Sequence, residues 1–405
     1  TSEAAIVLDA AVPVSAPAAQ APLTLADRLA RTADARHGAI GATRNARNVR
    51  AYDSGEWFTL LFSVRNRGLF HLWQPMLLVA ICACGFTPVA VLYAHDATCE
   101  TLDEANSAFS LVLTALAFLL VFRLNRSATR HYEARQLCGW MMIHARDVAL
   151  SASAALSRVS PATRDRLCEV AVAFPVAFML HLWGDAHAPR GRPRGREAAF
   201  SAMVEGVFAD PSTLATMTAA KHRPLALIEH AQAALHEALG PGGTDVKHES
   251  PLEAIVFQRL LDSIQGLGVP LGGCERIQGT PLPYVYVAHL RSFLIVVLCA
   301  VPFLFACEWQ WATIPLSLLV AVALLGIEAA SVECERPFSS SPSKNHHDLE
   351  RFAVLLSTEV SHMLQRAEAR AAAGAQQSGR ERAACMEGGA GTGAPAPRVW
   401  VAKCT

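Results

Sequence analysis

Four segments of the chain are apolar for long enough to cross a lipid bilayer, which takes about 20 predominantly apolar residues in a helix. Residues 69–93 and 105–122 contain no Asp, Glu, Lys or Arg. Residues 283–306 carry Arg291 near their start and no later charge, and residues 312–327 follow after a short turn. The pattern therefore predicts four transmembrane helices in two hairpins. A buried helix of a water-soluble protein is the alternative for each segment, and it is stronger for the two shorter ones at the end.

Between the hairpins, residues 125–282 show helical periodicity with polar faces. In residues 131–156 apolar side chains recur at the three- and four-residue spacing of an amphipathic helix. Residues 167–183 and 251–267 are further candidate helices, and Pro251 suits the first turn of the latter. We therefore predict an all-α membrane protein in which a helical extramembrane region continues the spans.

Both ends of the chain are predicted to be disordered. Residues 1–50 and 371–405 are dominated by small and polar residues and have few large apolar side chains to bury. The chain starts with Thr rather than Met, and its Ala, Arg and Ser bias predicts an organellar transit sequence, although three Asp residues weaken that interpretation. The folded domain is therefore predicted to comprise residues 51–370.

Composition supports a membrane protein independently of the segments. The chain is 52% hydrophobic and only 17% charged, whereas soluble domains average roughly 25% charged residues. Much of its apolar surface is therefore expected to face lipid or other subunits. The formal net charge is +0, so no overall basic field indicates binding to nucleic acid.

The charges between the spans are distributed asymmetrically. The loop at 94–104 contains four acidic residues and no Lys or Arg, and the turn at 307–311 contains only Glu308. Arginines instead precede the first span and follow the second and fourth spans. By the positive-inside rule, both termini and the long middle section lie on the cytosolic side or its organellar equivalent.

Motifs for enzymatic chemistry are missing from the sequence. It contains no phosphate-binding Gly loop, HExxH helix, CxxC pair or GxSxG elbow. The eleven cysteines are scattered without the spacing of a zinc site or a disulfide scaffold, and we interpret them as small apolar core residues. We expect neither an enzyme nor a bound cofactor or metal.

Three ordered segments resemble the bestrophin family. They are LLVFRLNRSATRHYEARQLCGW (119–140), CERIQGTPLPYVYVAHLRSFL (274–294) and GIEAASVECERPF (326–338). The segment AYDSGEWFTLLFSVRNRG (51–68) also resembles the family's approach to its first span. The resemblance implies a homopentameric, all-helical anion channel in membrane lipid, with the second span lining a central pore. The Ala-rich ends and the YEARQLCGW variant are similar to plastid members, which implies a thylakoid membrane, with the plasma membrane as the alternative.

The resemblance also implies the residues of the pore neck. Counting back from Arg123, which matches the family's arginine at the end of the second span, places the neck at Ser107, Leu111 and Ala115. Their i, i+4, i+8 spacing puts all three on one helix face. Family members usually carry larger apolar or aromatic side chains there, so we expect a wider and wetter neck. The alternative is that the small residues serve close helix packing in lipid.

Further site residues follow from the same comparison. The second constriction would be Leu252, after Pro251, and the mouth that attracts anions would be formed by Arg123, Arg126 and Arg130. Animal bestrophins place a carboxylate-rich calcium loop after the Pro-Phe that ends the fourth span. This chain has a serine-rich segment with a lysine at 339–344 instead, which makes a poor calcium site.

Two functions remain open on the sequence alone. The first is an anion channel that conducts chloride, bicarbonate or both. The second is a membrane scaffold that has kept the fold, lost conduction and organises partner proteins. The small residues at the neck favour the channel, because a non-conducting relative has no need of an unobstructed helix face.

Overall fold

The computed structural model describes residues 24–34, 72–93, 96–154, 160–184, 196–239, 251–338 and 347–388. Within these ranges every regular element is helical, which confirms the all-α prediction. The first three helices are α1 (residues 25–34), α2 (Trp73–Tyr93) and α3 (Asp96–Ala154). The helices that follow are α4 (Pro161–Trp183), α5 (Arg196–Met203), α6 (Pro211–Ala219), α7 (Arg223–Leu239), α8 (Pro251–Gly266), α9 (Gly268–Gly279), α10 (Tyr284–Trp309), α11 (Thr313–Glu335) and α12 (Leu349–Gly388).

The membrane part is a bundle in which α2 and the first half of α3 each pack against α10 and α11, and α10 and α11 pack against each other. Its interior is formed by apolar side chains from all four helices, such as Val79, Leu116, Leu298 and Ala321. A short 3-10 turn, Gln310–Ala312, joins α10 to α11. The four predicted spans are thus present as helices, in the two predicted hairpins.

One further helix is apolar enough to span a membrane but serves as a core helix. In the most apolar window of α4, 83% of residues are buried inside the protein, against 17% for α2 and 22% for α3. A helix whose sides are covered by protein has no face for lipid, whereas α2 and α3 leave most of their apolar surface open. The sequence interpretation, which assigned residues 167–183 to the extramembrane region, agrees with this arrangement.

Helix α3 continues from the membrane into the extramembrane body without a break. Its 59 residues correspond to a length of about 89 Å at 1.5 Å per residue. The predicted segment 105–122 and residues 131–154 of the predicted segment 131–156 are parts of this single helix, and residues 155–156 lie outside the described residues. No Gly or Pro occurs between residues 96 and 138, so nothing in the backbone chemistry favours a break.

The extramembrane body is built around α4, which packs against the second half of α3, α7 and α12. Ser160 caps its start, since its hydroxyl oxygen accepts a hydrogen bond from the backbone N–H of Thr163 at 3.2 Å. Helices α8 and α9 lie directly on α3. A Cβ atom at Gly273 of α9 would lie 2.7 Å from Leu137 Cδ2, so the glycine permits this close approach.

The prediction of disorder at the two ends was wrong for the parts that the structure describes. In the leader, α1 buries Leu25 and Leu29 in the extramembrane core, because apolar residues at helical spacing give even this short segment a face to bury. In the tail, α12 extends to Gly388, and its Ala-rich composition has high helix propensity. Residues 1–23, 35–50 and 389–405 lie outside the described residues.

A buried carboxylate fixes α1 to the core. The Arg28 guanidinium contacts Glu169 Oε1 at 3.1 Å through Nη2 and donates to the Val207 carbonyl at 3.1 Å through Nη1. Glu169 Oε1 also accepts from the backbone N–H of Ala209 at 2.9 Å. Burial raises the pKa of the Glu169 carboxyl, and these two donors oppose that shift.

Removing the apolar anchor of α1 tests whether the helix contributes to the folded state. We expect Leu29→Ala to lower the free energy of unfolding by about 2–5 kcal/mol, because the substitution leaves a cavity at a fully buried site. Chemical denaturation in detergent micelles measures the change. Arg31→Ala, at an exposed position of the same helix, should change stability by less than about 0.5 kcal/mol. Equal losses in the two variants would contradict docking of α1.

Candidate functional site

The predicted neck residues lie on the face of α3 that the chain itself leaves uncovered. Ser107, Leu111 and Ala115 are all exposed, and the Leu111 side chain is 74% exposed. On the opposite side of the helix, Leu116 and Leu120 are fully buried in the membrane bundle. The three positions therefore share a face that points away from the bundle. That they line a pore stays a prediction at this point.

Two hydroxyls beside this face are engaged with the helix backbone. Ser110 Oγ donates to the Ser107 carbonyl at 2.7 Å, and Thr114 Oγ1 donates to the Ser110 carbonyl at 2.8 Å. An anion needs donors, so these hydroxyls must rotate away from the backbone before they can contact one. In the arrangement observed, both hydroxyl groups donate within the helix, so neither is available as a donor on this face.

A buried charge network lies where the membrane bundle meets the extramembrane body. The Arg123 side chain is 0% exposed, and its Nε lies 2.5 Å from Glu328 Oε2 on α11. Its Nη2 lies 3.4 Å from Glu335 Oε2. The second Glu328 oxygen accepts from Arg291 Nε of α10 at 2.7 Å. Two arginines and two carboxylates thus balance their formal charges, as a buried group requires.

The buried charge network contradicts the prediction that Arg123 belongs to the anion-attracting mouth. Arg123 was expected to attract anions, but it is buried and neutralised by two carboxylates. Arg130 also has a structural role, since its guanidinium donates to the carbonyls of Thr280 at 2.7 Å and Ile277 at 2.5 Å. Arg126 is the one of the three whose side chain is exposed in the described structure. The sequence signal for the Arg123 pairs was the set of glutamates near the inner end of the fourth span.

The predicted second constriction and the segment after the fourth span lie at the edges of the described ranges. Leu252 lies in the first turn of α8, which begins at Pro251 as predicted, but its side chain lies outside the described residues. Phe338 is buried, and the serine-rich segment that follows it, residues 339–346, also lies outside them. The expectation that no calcium site forms there stays a prediction.

The structure contains a disulfide that the sequence interpretation missed. Cys99 in the first turns of α3 is bonded to Cys307 near the end of α10, with 5.8 Å between the Cα atoms. The sequence pattern predicts both cysteines as small apolar core residues, and the structure contradicts this. The available signal was one cysteine in each of the two acidic connections. Disulfides persist in oxidising compartments, whereas the arginine-rich side is predicted to face the cytosol or its organellar equivalent. The bond therefore supports placing this end of the bundle on the opposite side of the membrane.

Comparison with known proteins agrees with this architecture. The profile of the family described as "Bacterial/Fungal Bestrophin protein" matches residues 48–361. The chain belongs to the bestrophin family. A bestrophin homologue from Klebsiella pneumoniae has a similar structure, with a TM-score of 0.59 and 19% sequence identity over 73% of this chain and 98% of that one. This likeness concerns the fold.

Curated relatives of this bestrophin include proteins from a plant and a cyanobacterium. "Voltage-dependent chloride channel 1, chloroplastic" from Arabidopsis thaliana is 26% identical over 69% of this chain and 63% of its own length, which is less than two thirds. A voltage-dependent anion channel-forming protein from Nostoc is 27% identical over 71% of this chain and 85% of its own length. The range matched by the family profile, residues 48–361, includes the four spans and most of the extramembrane body.

The carboxylate shared by two arginines should be essential for stability. We expect Glu328→Gln to lower the free energy of unfolding by about 3–5 kcal/mol, since it leaves the buried Arg123 with only the longer contact to Glu335. Chemical denaturation in micelles measures the loss. Glu308→Gln, an exposed position on the same hairpin, is the matched control. An equal free energy of unfolding for the Glu328→Gln and Glu308→Gln variants would contradict a structural role for the network.

The disulfide can be detected directly. Digestion of the alkylated, non-reduced protein should release one linked peptide pair that contains Cys99 and Cys307, and mass spectrometry identifies it. Cys99→Ser should abolish the pair and lower stability by about 2–4 kcal/mol, whereas Cys84→Ser, which removes an exposed free cysteine, should leave it intact. Recovery of both peptides with alkylated thiols would contradict the assignment.

Proposed function

We propose that this bestrophin is an anion channel, with the exposed face of α3 lining a water-filled path between copies of the chain. The observation that carries the proposal is the uncovered face with Ser107, Leu111 and Ala115. The Arabidopsis and Nostoc relatives, which are named as voltage-dependent chloride and anion channels, support it. We take chloride and bicarbonate as the conducted ions.

The neck chemistry suits a monovalent anion that keeps much of its hydration. An isolated positive charge in the span would bind an anion too tightly and would be costly to bury. Leu111 is the only large apolar side chain among the three neck positions. A ring of leucines forms a constriction, and the small side chains one turn on either side leave room for water. Dehydration is then confined to one short step of the path.

The inner mouth supplies the electrostatic attraction. Arg126 is exposed three residues beyond the buried Arg123 on α3. Several copies of the chain around one axis would form a ring of guanidinium groups at the inner end of the neck. Such a ring raises the local anion concentration. Its effect is screened by salt, because the Debye length is about 8 Å at physiological ionic strength.

The assembly and location belong to the same proposal. We propose a homopentamer, as the family implies, because a single copy leaves the α3 face open and cannot enclose a path. We place it in a plastid membrane, with the thylakoid as the first choice and the plasma membrane as the alternative. The chloroplastic names of plant relatives support the plastid. The arginine-rich side would face the stroma.

Flux measurements on the purified protein test the channel. In liposomes, valinomycin-driven chloride or bicarbonate flux should exceed that of empty vesicles. We expect Leu111→Trp to reduce it at least about tenfold, because five indoles would obstruct the narrowest ring. Val296→Trp is the matched control: it adds the same indole at an exposed position of α10 and should leave the flux unchanged.

Two results would count against the proposal. Flux equal to that of empty vesicles would favour a non-conducting scaffold. Flux that is insensitive to Leu111→Trp but present in the wild type would place the ion path away from this face of α3.

A further inference from the structure

Three metal-ligating side chains meet in the extramembrane body. They are His181 in the last turn of α4, His222 directly before α7 and Glu275 on α9. The Nε2 atoms of the histidines lie 2.7 Å and 2.8 Å from the same carboxylate oxygen, Glu275 Oε1. The two imidazole rings are 4.4 Å apart between centroids.

Each of the three side chains is held by a helix end or a helix contact. The His222 carbonyl accepts the first hydrogen bond of α7 from Ala226 at 3.0 Å, and its Nδ1 accepts from the Leu225 N–H at 3.3 Å. This capping directs Nε2 away from α7 and towards Glu275. One turn beyond Glu275, the Gln278 amide donates to the Leu182 carbonyl at 2.5 Å. The donor atoms are therefore brought together by three packed helices.

We propose that His181, His222 and Glu275 bind a divalent transition-metal ion such as Zn²⁺. Two imidazole nitrogens and a carboxylate oxygen are an established donor set for such ions, with water as the fourth ligand. All three residues are half-buried, which leaves an open side for that water. The donor atoms lie within 4.8 Å of one another.

The two distances between imidazole nitrogen and carboxylate oxygen require a small adjustment for a metal to enter. Metal–nitrogen bonds of about 2.0–2.1 Å place tetrahedral donor atoms about 3.3 Å apart. The observed 2.7 Å and 2.8 Å contacts must therefore open by about half an ångström each, which side-chain rotation provides. The ion replaces two N–H donors that now converge on one oxygen.

Metal binding also fixes the histidine tautomer. An imidazole that binds a metal through Nε2 carries its proton on Nδ1, so His222 gives up the hydrogen bond from Leu225. Metal binding must therefore outweigh the loss of one capping hydrogen bond at the start of α7.

The position of the site connects it to the membrane helices. Glu275 belongs to α9, which is separated from the membrane helix α10 by only four residues. The C-terminal carbonyls of α9 accept hydrogen bonds from Arg130 on α3. An ion bound by Glu275 and the two histidines fastens α4 and α7 to the helix that leads into the third span. This goes beyond anion conduction and does not depend on it.

Titration of the full chain with Zn²⁺ and Co²⁺ tests the site. We expect about one Zn²⁺ per chain by calorimetry in detergent micelles, and visible absorption bands of four-coordinate Co²⁺. Glu275→Gln and His222→Gln should each weaken Zn²⁺ binding at least about tenfold and abolish the Co²⁺ bands. Even the loss of a residue that only supports a metal ligand typically weakens metal affinity by about tenfold or more. His236→Gln, at an exposed position of α7, should leave both unchanged.

A footprint on the unmodified chain covers the case in which a variant does not fold. Zn²⁺ should protect His181 and His222 from diethyl pyrocarbonate but should leave His236 reactive. The proposal is overturned if the wild type binds no Zn²⁺, if the variants bind it as the wild type does, or if protection is the same at all three histidines. In those cases the cluster is a hydrogen-bonded contact only.

Discussion

The buried contact between Arg123 and Glu328 fixes the position of α3 against α11 in this bestrophin. An arginine without solvent must keep its partners, so α3 cannot slide or rotate relative to α11 without exposing or isolating a charge. Arg291 extends the same constraint to α10. The rotation of α3 about its own axis decides which of its faces stays uncovered. The direction of Ser107, Leu111 and Ala115 therefore depends on a contact that none of them makes.

Elements whose cause is local could be predicted from the sequence. The spans followed from the length of their apolar segments, because the bilayer demands satisfied backbone groups over a set thickness. The start of α8 followed from Pro251. The sequence prediction divides the continuous α3 at the charged segment after Arg123, although no Gly or Pro interrupts residues 96–138.

Features created by distant partners could not be predicted in this way. The glutamates near the inner end of the fourth span indicate ion pairs with nearby arginines, but only the packing of α3 on α11 shows that Arg123 is buried against Glu328, 205 residues away. The same holds for the bond between Cys99 and Cys307, which are 208 residues apart. His181, His222 and Glu275 share no motif spacing, because three separate helices bring them together. The leader helix α1 is too short to be stable alone, and only tertiary packing reveals it.

The uninterrupted length of α3 makes it a lever. Ser107 lies 16 residues before Arg123, which is about 24 Å along the axis, while the other arm of the helix extends into the extramembrane body. A tilt of about 5° around the Arg123 pivot therefore carries the Ser107 end sideways by about 2 Å. In the proposed assembly of several copies around one axis, a displacement of that size at each copy would be comparable to the radius of a small anion, so a slight repacking far from the lipid would be geometrically sufficient to widen or close the proposed path.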